Sequence, residues 1–330
     1  RQRQMCIRDS SKEQEYFDIQ GAYLISEVDT DGNPTQTYDV GSQIDHARNN
    51  FDVVVAGMQH KGKYKLTPNN TIEWGVKYQQ EDIRDLLGEW QVLDSVGYSV
   101  PNQPNNLKLN YSVKAKNHLK TNRFSGYAQY ATKFNWSNAK VMINAGVRAT
   151  YWDYNEELNI SPRAQIAVKP DWDTDMLFRF ATGIYYQPPF YREVRRLDGT
   201  LNDEVKSQQS IHFILGNDYE FKMMDRPFKL TTEVYYKLFN DLNPYFVDNV
   251  RIRYQANNNS EGYAYGIDAR LFGEFVPGVD SWFSVSYARA YQNIDNRGDI
   301  PLPTDPRFKV SAFFQDYMPI LTSFKVNVNF

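Results

Sequence analysis

Apolar and polar positions alternate with a period of two along most of the chain. The stretch PFKLTTEVYYKLFN (227–240) separates an apolar face from a charged one, namely Phe228, Leu230, Thr232, Val234, Tyr236 and Leu238 against Lys229, Glu233 and Lys237. Successive side chains of a strand point to opposite faces, so such a segment predicts a two-faced β-strand. The same period recurs in about a dozen segments, which predicts an all-β fold.

About 13 strands are predicted, and many exceed the 5–6 residues usual in soluble sheets. Their approximate bounds are 16–29, 49–61, 70–83, 121–135, 139–154, 160–169, 174–188, 207–222, 227–242, 259–276, 280–294, 305–317 and 321–330. Strands of this length suit the tilted wall of a barrel.

The predicted connections are of two kinds that alternate along the chain. Short turns are predicted at 135–138, 170–173, 223–226, 277–279 and 318–320, and longer polar loops at 30–48, 84–120, 189–206, 243–258 and 295–304. The connection at 155–159 is a short exception, and 62–69 is intermediate in length. Short turns at one end and long loops at the other are typical of bacterial outer-membrane barrels.

The composition bears on which face of the strands is inside. Aromatic residues make up 15% of the 330 residues, and many lie beside predicted turns and loops, as expected for the interfacial girdles of a membrane barrel. A soluble closed core filled with Lys, Glu, Arg and Asn would instead need many paired charges. The net charge of −3 provides no basic face for nucleic acid. We therefore predict a transmembrane antiparallel β-barrel whose apolar face meets lipid.

Four stretches of the chain resemble the C-terminal part of the barrel of TonB-dependent outer-membrane receptors. They are YYQPPFYREVRRLDG (185–199), QSIHFILGNDYEFK (209–222), NNNSEGYAYGIDARLFGEF (257–275) and LPTDPRFKVSAFFQDYMP (302–319). The resemblance covers residues 16–330 and implies a barrel of roughly 22 strands in the bacterial outer membrane. It implies active uptake of a scarce nutrient, such as a siderophore, cobalamin, a glycan or a peptide.

The resemblance also implies partners and a division of the chain. The implied partners are outer-membrane lipid, the protein's own N-terminal plug, the TonB complex and, in some receptors, a surface lipoprotein, with no cofactor. Residues 1–10, RQRQMCIRDS, resemble the translation of a transposon-derived sequencing adapter and are predicted not to be native. Residues 11–330 are predicted to be a partial barrel, strands 9 to 21, with the plug and the final strand outside the sequence.

Two predicted loops carry candidate ligand-binding residues. YYQPPFYREVRRLDG places three guanidinium groups within five residues beside aromatic rings, and RIRY (251–254) repeats the basic-aromatic pattern. Such groups suit an anionic or carbohydrate-bearing ligand, whereas pairing with Glu193, Asp198 or neighbouring loops would merely order the loop. The candidates are Tyr186, Gln187, Phe190, Tyr191, Arg192, Arg195, Arg196, Arg251, Arg253 and Tyr254. The residues predicted to line the lumen or contact the plug are Arg148, Arg179, Glu233, Asp268 and Arg270.

Catalytic and metal-binding motifs are missing from the sequence. His46, His60, His118 and His212 show no HxxxH spacing. DTDGN (29–33) is followed by Pro34 where a calcium loop needs its glycine, and the glutamate of the twelfth position is missing. No GxSxG motif occurs. We therefore predict no enzyme activity, no metal and no cofactor. A passive porin or structural barrel, and a secreted all-β binding or adhesion module, remain alternatives to active transport.

Overall fold

A computed structural model describes residues 2–29, 33–94, 108–249, 251–305, 307–318 and 325–329. These residues form sixteen strands and one short helix: β1 (Gln2–Val28), β2 (Pro34–Lys65), β3 (Asn70–Asp94), β4 (Lys108–Trp136), β5 (Ala139–Trp152), β6 (Glu157–Pro170), β7 (Asp175–Gln187), α1 (Tyr191–Val194), β8 (Gln208–Met223), β9 (Arg226–Leu242), β10 (Tyr245–Asp248), β11 (Arg251–Tyr254), β12 (Ser260–Val276), β13 (Val279–Ile294), β14 (Asp299–Pro301), β15 (Phe308–Tyr317) and β16 (Lys325–Asn329). Among the described residues, no helix is long and apolar enough to cross a membrane.

The strands pair with their neighbours in chain order in one antiparallel sheet. The order is β1-β2-β3-β4-β5-β6-β7-β8-β9-β12-β13-β15-β16, with β14 added to β13. β10 and β11 form a separate hairpin within the connection between β9 and β12. The 13 strands predicted from alternation correspond to the 13 strands of this path, so the predicted all-β meander is confirmed. α1, β10, β11 and β14 were not predicted.

The first four strands are much longer than predicted. They contain 27, 32, 25 and 29 residues, so most of the predicted loops 30–48 and 84–120 is strand. Those two loop predictions are wrong because polar composition hid an alternation that continues through both segments. β5 ends at Trp152, which pairs with Arg123, and Arg123 pairs with Gln79. β3 and β4 therefore project well beyond the end of β5. We call this projection the raised wall.

The segment predicted not to be native, residues 1–10, contributes residues 2–10 to the start of β1. Residues 2–10 pair with 54–62 of β2, and the side chains of 5–10 are all exposed. The prediction concerns the origin of the segment, and it stays a prediction.

The charged face of the sheet is satisfied by ion pairs between strands. Arg179 Nη2 lies 3.0 Å from Asp218 Oδ1 and 3.1 Å from Glu233 Oε1, and Lys229 Nζ lies 3.2 Å from Asp218 Oδ2. On the opposite face Val234 is 52% exposed. We call the charged face the inner face and the apolar face the outer face. An exposed apolar face over a paired polar one is the arrangement of a membrane barrel.

Aromatic rings form rows at both ends of the outer face. At the loop end, the rings of Tyr78 and Phe124 are 5.1 Å apart and those of Phe124 and Tyr151 are 6.4 Å apart. At the short-turn end, Phe228 packs 5.9 Å from Phe221 and 5.1 Å from Phe275. Amphipathic and aromatic side chains at these two levels mark the boundaries of an apolar band.

Val234→Arg is expected to destabilise the intact barrel in lipid. An arginine on the lipid face near the bilayer midplane costs about 2–4 kcal/mol, and Val234 lies near the middle of β9 on the outer face. Urea unfolding of the intact protein in lipid vesicles measures this cost. Thr231→Arg, on the inner face of the same strand, is the matched control and should unfold near the parental midpoint. Equal midpoints for the two variants would contradict the assignment of the faces.

Candidate functional site

A cavity of about 1140 Å³ lies between the inner face of β1–β4 and two loop segments. One segment, residues 188–197, follows β7 and contains α1, and we call it the proline segment. The other is the β10–β11 hairpin, residues 245–249 and 251–254, which we call the RIRY hairpin. Both segments bend over the inner face and contact the raised wall, so they form the far side of the cavity.

The proline segment begins where two prolines end β7. Pro188 and Pro189 lack an amide hydrogen and so cannot continue the ladder. The Phe190 amide then donates a hydrogen bond of 2.7 Å to Glu193 Oε2, which closes the turn that starts α1. Glu193 is 4% exposed, and this burial raises the pKa of its carboxyl. Pro189 O accepts a 2.8 Å bond from Arg123 Nη2 of the wall.

Asp85 holds the proline segment against the wall. The Tyr191 hydroxyl donates to Asp85 Oδ2 over 2.9 Å, and Arg195 Nη1 donates to the same oxygen over 2.7 Å. Asp85 is 1% exposed, and Tyr191 packs in a core cluster that includes Val194. Burial, and then the charge of Asp85, raise the pKa of Tyr191, so its hydroxyl remains a donor. The Asp85 carboxylate therefore receives one neutral and one charged hydrogen bond.

Glu89 holds the RIRY hairpin in the same way. Its carboxylate accepts hydrogen bonds of 2.6 Å from both Arg251 Nη1 and Arg253 Nη2, and a third of 2.7 Å from Asn49 Nδ2. Glu89 is 3% exposed. Asp85 and Glu89 are four residues apart, so they lie on the same face of β3. Each carboxylate thus holds one of the two segments.

Asparagine side chains connect the loops to one another. Asn243 Nδ2 donates to the Glu193 carbonyl and Asn202 Nδ2 to the Ala256 carbonyl, both over 2.8 Å. Both asparagines are buried. These amides satisfy loop carbonyls that would otherwise be buried without a partner. The proline segment and the connection that carries the RIRY hairpin are therefore one connected structure.

Most candidate ligand residues from the sequence lie together at this cavity. Nine of the ten line it, and Tyr186 does not: the nine are Gln187, Phe190, Tyr191, Arg192, Arg195, Arg196, Arg251, Arg253 and Tyr254. The arginines that are paired bind carboxylates of β1, of the wall or of their own hairpin, rather than Glu193 or Asp198. Arg192 Nη2 lies 2.6 Å from Glu13 Oε2. Arg196 is exposed and has no side-chain ion pair among the described residues.

The candidate lumen residues divide into two groups. Arg148 lines the cavity. Arg179 and Glu233 pair with each other, Asp268 lies opposite Glu233 in the ladder, and the Arg270 guanidinium lies 4.5 Å from the Trp282 ring centre. This second group lies on the inner face, outside the cavity.

Sequence reasoning missed the wall side of the site. Lys77, Glu81, Asp85 and Glu89 of β3 line the cavity, and Glu81 lies 3.1 Å from Arg123. The sequence did contain a signal for them. The odd-numbered positions of β3 that face the cavity continue as Asp85 and Glu89 beyond residue 83, where the predicted strand ended. Lys77, Arg148 and Arg196 line the cavity without an ion pair to any described carboxylate, although Lys77 Nζ donates to Gln79 Oε1 over 2.6 Å. The described residues contain no cluster of ligands suited to a metal ion.

The fold and the family agree. The sequence matches the family described as TonB dependent receptor-like, beta-barrel over residues 10–330, and the chain belongs to that family. No curated protein matches the chain.

Solved structures similar to the fold include three transporters. The copper transporter OprC has a TM-score of 0.53 at 12% identity, with 91% of this chain and 49% of OprC covered. The outer membrane transporter YddB from Escherichia coli has a TM-score of 0.46 at 12% identity, with 93% and 61% covered. The RagAB peptide transporter has a TM-score of 0.47 at 10% identity, with 98% and 44% covered. The chain thus spans about half of the length of these proteins.

Proposed function

We propose that the intact protein is an outer-membrane transporter that takes up a nutrient with energy from TonB. The observation that carries this proposal is the cavity of about 1140 Å³ between the wall and two inward-folded loop segments. Small-molecule sites occupy about 300–1,000 Å³, and this cavity lies slightly above that range, so it has room for such a ligand. The family supports transport rather than enzymatic chemistry, an outer-membrane location, and an N-terminal plug and the TonB complex as partners. A surface lipoprotein partner is part of the proposal.

The cavity favours a ligand with an anionic group and rings or sugars. Arg148 and Arg196 have no ion pair among the described residues, and a free guanidinium suits carboxylate or phosphate. Phe190 lines the same cavity, is 64% exposed and offers a surface for stacking. Siderophores, cobalamin, acidic glycans and acidic peptides with aromatic residues can all carry such groups.

The transport proposal can be tested before the ligand is known. Strains with the intact gene, without the gene, and with the gene but without TonB are grown in the same medium. Mass spectrometry of the spent medium then compares what each strain consumes. We expect at least one compound to be consumed only by the strain that has both the gene and TonB. Consumption that needs the gene but not TonB would instead establish a passive pore.

Arg148→Ala combined with Arg196→Ala is expected to weaken binding of the compound so identified by at least roughly tenfold. Each substitution removes a charged hydrogen bond donor worth about 1.5–3 kcal/mol. Calorimetry on the purified intact protein measures the change. Arg297→Ala is the matched control, because Arg297 lies in another loop with its side chain 83% exposed. Parental affinity in the double variant would remove these arginines from the site.

A further inference from the structure

The outer face of the raised wall carries a row of basic side chains. Lys114, Lys116, His118 and Lys120 occupy alternate positions of β4 and are all exposed. No ladder irregularity interrupts β4 between these positions and Phe124, so all five side chains share the outer face. We call the four residues the cationic row. It lies beyond the aromatic row of Tyr78, Phe124 and Tyr151 that bounds the apolar band.

The lysines of the row are unpaired. Among the described residues, Lys114, Lys116 and Lys120 have no side-chain hydrogen bond or ion pair with a carboxylate. Asp82 is the nearby acid of β3, and it is bound by His118 over 2.9 Å, with Arg84 at 3.8 Å. Arg84 therefore adds a further cation to the same surface. The row begins four residues from Phe124, about 13 Å along the strand.

A shallow apolar groove lies directly beside the aromatic row. Its volume is about 420 Å³, and its outer-face lining includes Met58, Val76, Tyr78, Phe124, Tyr151 and Leu158. Met58, Val76 and Leu158 are each more than half exposed. The groove is therefore an indentation of the lipid-facing surface, on the side of the sheet opposite the ligand cavity. A hydrocarbon chain is the occupant that its apolar lining fits.

We propose that this surface binds an anionic glycolipid of the outer leaflet, with an acyl chain in the groove and the phosphorylated headgroup on the cationic row. Charge complementarity selects this occupant. Unpaired lysines near a membrane surface attract anionic headgroups, and the cationic row begins about 13 Å along β4 from Phe124, the groove residue nearest to it. A neutral lipid would have no charge to interact with the lysines, and a soluble anion would have no apolar chain to fill the groove. The inference rests on the outer-membrane location proposed above.

The test uses the intact receptor purified in mild detergent and titrated with diphosphoryl lipid A in native mass spectrometry. Lys114→Gln, Lys116→Gln and Lys120→Gln together are expected to weaken lipid A binding by at least roughly tenfold. Replacing the same three lysines with Arg should preserve binding, because the charges remain. Raising the salt concentration should weaken parental binding more than binding by the Gln variant.

Two further variants separate the headgroup contact from general charge and test the groove. Lys133→Gln, Lys140→Gln and Lys222→Gln remove three exposed lysines near the short-turn end and should leave lipid A affinity at the parental value. Ala149→Trp fills the groove that Ala149 lines and should weaken lipid A binding with every lysine in place. Heat-modifiable gel mobility verifies that each variant has assembled.

Three results would overturn the inference. These are parental lipid A affinity in the cationic-row Gln variant, an equal loss in the short-turn control, and parental affinity in Ala149→Trp. The first result would mean that the lysines only prevent the exposed edge of β4 from pairing with another strand, as charged residues do in many sheets. Binding is measured on purified protein without TonB, so failure of the uptake proposal would leave this result readable.

Discussion

Glu89→Gln is expected to release the RIRY hairpin from the wall. The carboxylate is 3% exposed and accepts two arginine hydrogen bonds of 2.6 Å, from Arg251 and Arg253. A glutamine keeps the shape, but it removes the charge, and its amide group turns donors towards the guanidinium donors. Breaking a buried ion pair by removing one partner costs about 3–5 kcal/mol. This is the largest effect that we expect from a single substitution in the site.

Hydrogen exchange of the intact receptor measures this release. Protection of the amides in 245–254 should fall by roughly a hundredfold or more, while protection in β9 and β12 is retained. Asp82→Asn is the matched control, since Asp82 lies on the outer face of the same strand and contacts neither segment. Adding Arg253→Gln to Glu89→Gln should cost little more than Glu89→Gln alone, because the interaction is already lost. Unchanged protection of 245–254 would refute the assignment of Glu89 as the anchor.

Alternation predicted the fold because it is a local property. A strand with one lipid face and one polar face must repeat every two residues, so residues 227–240 reveal their structure without any knowledge of their neighbours. The same rule applies to the raised wall, but there the outer face is polar and the inner face buries charged residues such as Asp85 and Glu89. Polar residues such as Lys114 and Lys116 stand where a membrane strand would be apolar, so the segment had the composition of a loop.

The candidate ligand residues that the sequence offered lie only on the loop side of the cavity. Clustered arginines and aromatics identified the two segments, and nine of the ten candidate residues line the cavity. Their acidic partners were not predictable, because Arg195 and Asp85 are 110 residues apart in sequence and Arg253 and Glu89 are 164 apart. Local reasoning proposed Glu193, Asp198 or unspecified groups of neighbouring loops instead. Those two carboxylates bind backbone amides close by in sequence, at Phe190 and Thr200.

Asp85→Asn is expected to loosen the proline segment and, more weakly, the RIRY hairpin. The substitution leaves Arg195, whose side chain is 21% exposed, without a carboxylate, while an asparagine oxygen can still accept from the Tyr191 hydroxyl. Tyr191→Phe removes one hydrogen bond from a neutral donor to the Asp85 carboxylate, worth about 1.5–3 kcal/mol, and leaves the ion pair with Arg195 in place. Hydrogen exchange of 188–197 should therefore show a larger loss of protection for Asp85→Asn than for Tyr191→Phe. The reverse order would mean that the tyrosine, not the ion pair, anchors the segment.

The weaker effect on the hairpin follows from the asparagine bonds between the loops. Asn243 holds the Glu193 carbonyl and Asn202 holds the Ala256 carbonyl, so a displaced proline segment pulls on the connection that carries the hairpin. Asp85→Asn combined with Asn243→Ala should separate the movement of the proline segment from that of the RIRY hairpin. The hydrogen-exchange protection of 245–254 in this double variant should then return towards its value in Asn243→Ala alone. Loops that opened independently would show no change in 245–254 in Asp85→Asn. Coupled opening would instead mean that a ligand displacing either arginine contact loosens both sides of the cavity together.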